Sequence, residues 1–335
     1  MTPSSPPPSP SAAAGALPDL PSGRPRRMLI FTAGLQPDDL TLRAFDLARH
    51  LHAHGRWFAR VVSGADGPLR THLERAAIPV QVVDQPADAA GLVRQVWGTA
   101  QDAAVAFGAA QAWVAPLAGR HGWPLWVETQ DARAWFDPYA SPDRRAEVRS
   151  ALGLSADDRL ALAFATESTD EKALLGLLQA IRAALSEARL TRWHLGLIGA
   201  NGHLHLLTPD AEAPPSETTD LAGSRSTWVA AADAVLDLHK HATGFRPLFD
   251  AAALAVPIVA DPTPSLATLL PAPFVAPAEL GSPSDAADAL IDLVLNPEAA
   301  SRRVAAAHVF VMAHRNPARL LPSWIDTLEA TVHRR

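Results

Sequence analysis

The chain has 335 residues, 48% of them hydrophobic and 19% charged, a formal net charge of −6 and no cysteine. That length and apolar content suit two domains of ordinary size and exclude a wholly disordered chain. The acidic balance argues against a general nucleic-acid binder. The missing cysteines exclude disulfide frameworks, zinc ribbons, thiol nucleophiles and iron–sulfur clusters.

Residues 1–25 are rich in Pro, Ser and Ala and read as a disordered or polyproline-type tail. The basic cluster Arg24, Arg26 and Arg27 follows that tail, and the apolar run behind it is too short for a signal peptide. Nor does any run of about 18 uncharged apolar residues predict a spanning helix. A cytoplasmic protein is the expectation. Of the 29 basic residues two are lysines, Lys172 and Lys240. An Arg-, Ala- and Pro-heavy chain suggests a GC-rich bacterial genome.

Met28–Thr32 reads as a buried strand. Leu40, Ala44, Leu47, Ala48 and Leu51 follow helical spacing, with Gly55 placed as a cap. Strands are then expected over Trp57–Val62, Pro79–Val83, Ala103–Phe107 and Pro124–Thr129. Helices are expected over Leu69–Ala77, Ala87–Ala100 and Gln111–Gly119. This alternation of short apolar strands with helices predicts a parallel sheet covered on both faces.

Residues 136–158 interrupt the pattern with Asp137-Pro138, Ser141-Pro142 and a charged stretch, and read as a domain linker with one short helix. The alternation then restarts. Leu160–Ala165, Trp193–Ile198, Ala234–Leu238 and Pro257–Ala260 read as strands, with a short strand at Phe274–Val275. Helices are expected along the stripe Leu174, Leu177, Leu178, Ile181, Leu185, over Trp228–Ala232, Pro247–Ala255 and Ser284–Leu295, and on to the C-terminus. Residues 208–226 read as a loop. The domains expected are thus 26–135 and 159–314, joined by 136–158 and followed by a helix over 315–335. Sheets of this kind take ligands at the carboxyl ends of their strands, so the cleft between the two is the expected site.

Several segments resemble the group 1 glycosyltransferases (glycosyltransferase family 4). They are Met28-Leu29-Ile30-Phe31-Thr32-Ala33-Gly34-Leu35, Val61-Val62-Ser63-Gly64, Ile78-Pro79-Val80 and Leu117 to Pro124. Further on come Arg149 to Leu154, His194-Leu195-Gly196-Leu197-Ile198-Gly199 and Ala251 to Val259. Their order over residues 27–330 resembles that family. The resemblance implies the GT-B fold, two Rossmann-like parallel-sheet domains facing across a cleft. It also implies transfer of a sugar from a nucleotide sugar to a glycan or lipid-linked acceptor, with retention at the anomeric carbon, in polysaccharide biosynthesis. No cofactor beyond the donor is implied, and a peripheral membrane or assembly partner fits the family.

The resemblance carries over unevenly to the residues that do chemistry. Lys172, in Thr169-Asp170-Glu171-Lys172, matches the family's phosphate-binding lysine, and it also reads as a solvated residue in a first helical turn. The arginine expected five residues earlier is Glu167. At about 4 Å a unit charge is worth about 4 kcal/mol in an effective dielectric near 20. The exchange therefore swings the site by up to about 8 kcal/mol, the energy of micromolar binding. Asp250 occupies the second position of the family's glutamate pair, expected on the ribose, and reads equally as a first-turn helix residue. The first position falls on Ala242 or Thr243, neither a carboxylate. Gln36-Pro37-Asp38-Asp39 stands where phosphate-facing glycines belong after Gly34, and Asp261-Pro262-Thr263-Pro264 replaces those after Val259-Ala260.

The donor-binding candidates are therefore Lys172, Asp250, Gly34, Gly199 and Arg246, with no catalytic residue intact. Arg246, Lys240 and His241 are candidate replacement cations. The resemblance supports an enzyme; the gaps support a catalytically degenerate relative acting as a binding or scaffold partner. His50/His54, His203/His205 and His239/His241 have metal-like spacing without a completing ligand, so no metal is expected. Trp113, Trp123, Trp126 and Trp135 gather around the last strand of the first domain, where interdomain packing is expected over a carbohydrate-stacking face.

Overall fold

The computed structural model describes residues 26–36, 39–55, 57–83, 102–128, 135–137, 141–165, 169–199, 203–208, 216–218, 225–238, 246–279 and 281–333. The expected tail at 1–25 and helix at 87–100 lie outside them, as do Glu167, Lys240, His241, Ala242 and Thr243.

The first sheet is built from β1 (Arg26–Thr32), β2 (Trp57–Ser63), β3 (Val80–Val82), β4 (Ala103–Phe107) and β5 (Leu125–Glu128). The strand order is β3-β2-β1-β4-β5, and every pairing is parallel. Alternation along β1 feeds two cores. Met28 and Ile30 pack with Leu47, Leu51 and Trp57 under α1 (Asp39–His54), together with α2 (Leu69–Arg75). Leu29 and Phe31 pack with Val114 and Leu117 of α3 (Gln111–His121) on the other face.

A turn at Ser141–Arg144, where the Ser141 hydroxyl accepts the Asp143 N–H, starts α4 (Arg145–Ala151). This helix lies inside the expected linker, and its side chains hold it to the second domain. Arg145 and Arg149 both grip Asp233, and both donate to carbonyls among Ala230, Ala231 and Ala232.

The second sheet has order β12-β11-β10-β6-β7-β8-β9. Its parallel part comprises β6 (Arg159–Phe164), β7 (Trp193–Ile198), β10 (Ala234–Asp237), β11 (Ile258–Ala260) and β12 (Ala276–Pro277). Between β6 and β7 runs α5 (Glu171–Glu187). The Asp170 carboxylate caps it on the Ala173 N–H, and Leu174, Leu178, Ile181 and Leu185 form its buried stripe. The helices α6 (Arg225–Ala231) and α7 (Arg246–Ala253) flank β10 in the chain.

Three features differ from the sequence reading. Leu204–Leu207 (β8) and Ser216–Thr218 (β9) extend the sheet antiparallel, where a loop was expected over much of the segment. The polar–apolar alternation of His203-Leu204-His205-Leu206 is the signature of a half-exposed antiparallel strand, but it is only four residues long. Gly196 makes room for β8, since a Cβ there would lie 2.6 Å from Leu162 Cδ2 and 2.9 Å from Leu204 Cδ1. Pro264–Leu269 is a helix, α8, because Thr263 caps it and Pro264 suits the first turn. The strand expected at Phe274–Val275 is shifted to Ala276–Pro277, behind a 3-10 turn at Ala272–Phe274.

The chain ends in α9 (Pro283–Leu295), α10 (Pro297–His314) and α11 (Pro317–His333). The last of these returns to the first domain. Leu321 and Trp324 join the core of Met28, Ile30 and Trp135. The Glu329 carboxylate accepts the Trp57 indole N–H at 2.8 Å. No helix among the described residues is long and apolar enough to cross a membrane.

Candidate functional site

In each sheet the chain reverses its direction of travel at one point. From β1 it moves outward to β2 and β3, then returns to β4 on the other side; from β6 it moves out through β7, then returns to β10. Crevices at the carboxyl ends of such switch-point strands are where doubly wound sheets bind ligands. The β1/β4 mouth is formed by Ala33-Gly34-Leu35 and Gly108. The β6/β10 mouth has Ala165, the first turn of α5 and the N-terminal residues of α6 and α7.

A buried polar seam joins the two mouths. Arg246, the first residue of α7, donates from Nη2 to Asp46 Oδ2 of α1 at 2.8 Å. The Trp135 indole N–H donates to the same oxygen at 2.9 Å. Asp137 Oδ1 lies 3.9 Å from Arg246, its backbone N–H donates to Asp250 Oδ1 at 2.6 Å, and Ser226 Oγ donates to its Oδ2 at 2.5 Å. Behind the seam Arg43 pairs with Glu128, the last residue of β5, and lies 5.2 Å from the Trp135 ring centroid. Burial holds the Asp46 carboxyl above the usual carboxylate range. Arg246 pulls the other way, and neighbouring Asp137 adds to the rise.

The sequence-derived donor candidates divide between the crevice and the seam. Lys172 is exposed in the first turn of α5, at the β6/β10 mouth. Gly34 follows β1 at the other mouth. A Cβ on it would only touch Ala65 Cβ at 3.7 Å, whereas one on Gly67 would meet the Leu35 carbonyl oxygen at 2.5 Å. The steric need for glycine beneath this loop therefore falls on Gly67 and on Gly64, where a Cβ would meet the Ala33 carbonyl oxygen at 2.9 Å. Gly199 is buried just past β7, its N–H donating to the His203 carbonyl oxygen at 2.8 Å, one strand away from the switch point.

Arg246 and Asp250, 3% and 0% exposed, are drawn into the seam. There they meet a carboxylate and a backbone N–H of this chain itself. Sequence reasoning passed over Asp46, Asp137 and Arg225. Asp46 carried a weak signal: with Arg43 it places two charges three residues apart beside the apolar stripe of α1.

Of the clustered tryptophans Trp135 stands at the junction. Trp113 packs edge-on against Phe31 at 5.3 Å and Trp123 stacks on His121 at 5.0 Å, both associated with the α3 face of the first sheet. His50 and His54 share a helix face with ring centroids 4.0 Å apart. Among the described residues no group of three or more His, Asp or Glu is placed to hold a metal ion. A cleft of about 540 Å³ lined by Asp157, Arg159, Arg189, Arg192 and Trp193 opens at the amino ends of β6 and β7, the end of the sheet opposite the crevice.

These two facing parallel-sheet domains, with their mouths joined across a cleft, are the GT-B fold. No family model matches the sequence, and no curated protein matches it. Solved structures match over nearly the whole chain. A glycosyltransferase from Rickettsia africae is similar with a TM-score of 0.64 at 10% identity, covering 92% of this chain and 99% of its own. Anabaena HepE in complex with UDP and glucose is similar with a TM-score of 0.64 at 13% identity, covering 91% and 100%. A protein assigned as a UDP-N-acetylglucosamine 2-epimerase of Listeria monocytogenes is similar with a TM-score of 0.62 at 11% identity, covering 93% and 98%. The fold is thus shared by a transferase and a protein assigned as an epimerase, and the site must choose between chemistries.

Proposed function

We propose that this chain is a glycosyltransferase-like protein that takes a nucleotide sugar in the cleft between its sheets. On this reading it passes the sugar to a glycan or lipid-linked acceptor with retention at the anomeric carbon. The observation that carries the reading is the position of Lys172. It is an exposed cation in the first turn of a 17-residue helix whose amino terminus opens on the C-terminal switch point. Helix N-terminus, lysine and strand-end crevice together suit a diphosphate leaving group. The UDP and glucose held by HepE support the same ligand class.

A second reading, a catalytically degenerate binding or scaffold protein, is favoured by the commitment of Arg246 and Asp250 to the seam. Calorimetric titration with UDP, GDP and ADP and then their sugar conjugates tests the first reading, with Lys172→Ala expected to weaken binding. Incubation with the conjugate that binds, followed by assay of freed nucleotide diphosphate, separates the two. Release supports transfer; tight binding without release on any acceptor supports the second.

A further inference from the structure

The cleft at the amino ends of β6 and β7 carries positive charge that its own carboxylates do not balance. Three arginines reach it from separate segments: Arg159 opens β6, Arg189 lies just after α5, and Arg192 precedes β7. Three carboxylates line it too, and each is already engaged. Asp157 pairs with Arg192 at 2.8 Å. Asp158 accepts the Ser155 N–H at 2.6 Å and lies 3.7 Å from His194 Nε2. Asp233 is held by Arg145 and Arg149 of α4 and accepts the Leu160 N–H at 2.9 Å. Arg159 and Arg189, both exposed, have no carboxylate partner among the described residues. Arg159 lies 5.9 Å from the ring centroid of Trp193, whose buried indole N–H meets no acceptor among the described residues. The wall thus offers more donors than acceptors.

The backbone of Arg189 is the second sign. Its φ is +60°, in the left-handed region. There it closes α5, its N–H donating to the Ser186 carbonyl oxygen and the Leu190 N–H to that of Leu185, both at 2.9 Å. Glycine is the usual residue at such a helix end. Among the described residues the other non-glycine residues with positive φ are Ala77 and Ala255, which carry small side chains, whereas Arg189 carries a long cation. The helix dipole favours one positive charge near the end of α5. It does not account for Arg159 at the start of a strand, or for the meeting of both in one concavity.

We infer that this cleft is a second ligand site, taking a small phosphate-bearing molecule held between Arg159 and Arg189. Its volume of about 540 Å³ is that of a small-molecule site. The planar arginine fork matches phosphate oxygens in pairs. A phosphate group has enough oxygens for two forks, whereas the two oxygens of a carboxylate are taken by one. Leu190 and Val294 add apolar wall for the rest of the molecule. The cleft is at the opposite end of the second sheet from Lys172, so the inference does not rest on the function proposed above.

The test is calorimetric titration of the full chain carrying Lys172→Ala, which weakens the crevice, with inorganic pyrophosphate and with malonate. Pyrophosphate should bind at one site and more tightly than malonate. Adding Arg189→Gly or Arg159→Gln should weaken pyrophosphate about tenfold or more. Glycine suits the backbone at 189, so Arg189→Gly should keep or raise the thermal midpoint, and its loss of binding cannot come from unfolding. Neither substitution should change the nucleotide affinity of the otherwise wild-type chain. Pyrophosphate affinity unmoved by Arg189→Gly, malonate binding as tight as pyrophosphate, or no pyrophosphate binding to the Lys172→Ala chain each overturns the inference. A wild type that binds pyrophosphate through Arg159 and Arg189 but no nucleotide overturns the proposed function and leaves this site standing.

Discussion

Arg246 and Asp46 are 200 residues apart in the chain and 2.8 Å apart in space. Each is 3% exposed, and they belong to different sheets' layers, so their contact is a bond between domains. Buried pairs of this kind gain little over apolar replacements, but a lone survivor is expensive.

Asp46→Ala should therefore cost about 3–5 kcal/mol of unfolding free energy, because Arg246 is left in a dry seam facing no Asp46. The double substitution Asp46→Leu with Arg246→Met should recover most of that loss. Urea unfolding of Asp46→Leu, Arg246→Met and their double variant gives the coupling energy directly. Additive losses would mean that the seam is hydrated and the pair weak.

Asp250 is expected to act as a tether for the chain between the domains. Asp250→Ala leaves the Asp137 N–H without its 2.6 Å partner, and should lower stability by about 1–3 kcal/mol. Its effect on nucleotide affinity should match its effect on pyrophosphate affinity. A selective loss for the nucleotide, with stability unchanged, would return Asp250 to the donor's ribose.

Trp324→Ala should destabilise the first domain by about 3–5 kcal/mol, since the ring is 3% exposed and packs with Phe107 and Trp135. Hydrogen exchange is the appropriate probe. Amides of the first sheet should lose protection while those of the second keep it. A uniform loss would show that the two domains unfold as one cooperative unit.

Burial, and after it the neighbouring His54, lowers the His50 pKa below its ordinary 6.5. As pH falls below that value the unfolded chain takes up the proton first, so the fold loses stability there. His54→Ala should move the His50 midpoint upward in an NMR titration and shrink the acid-side loss. A His50 midpoint unchanged by the substitution would remove His54 as a cause.

The alternation of strands and helices was legible because each buried strand is a short apolar run between turn residues; their order pointed to two parallel-sheet domains, and the family resemblance implied the GT-B architecture. What escaped was set by contacts distant in the chain. β8 and β9 are too short for a period-2 signal, and their place depends on the space left by Gly196. The placement of Lys172 was legible, because its surroundings are local: a helix start and the strand before it. The contacts of Arg246 and Asp250 were not, because the partners Asp46 and Asp137 come from elsewhere in the chain. A motif comparison sees a charged residue and not what neutralises it.

The return of α11 to the first domain has a consequence for synthesis. The core around Met28 and Ile30 is finished only when Leu321 and Trp324 have been added. During translation the second domain can close its sheet first, while the first waits with part of its apolar face open to water and to chaperones. The domain that leaves the ribosome first is thus the last to be completed.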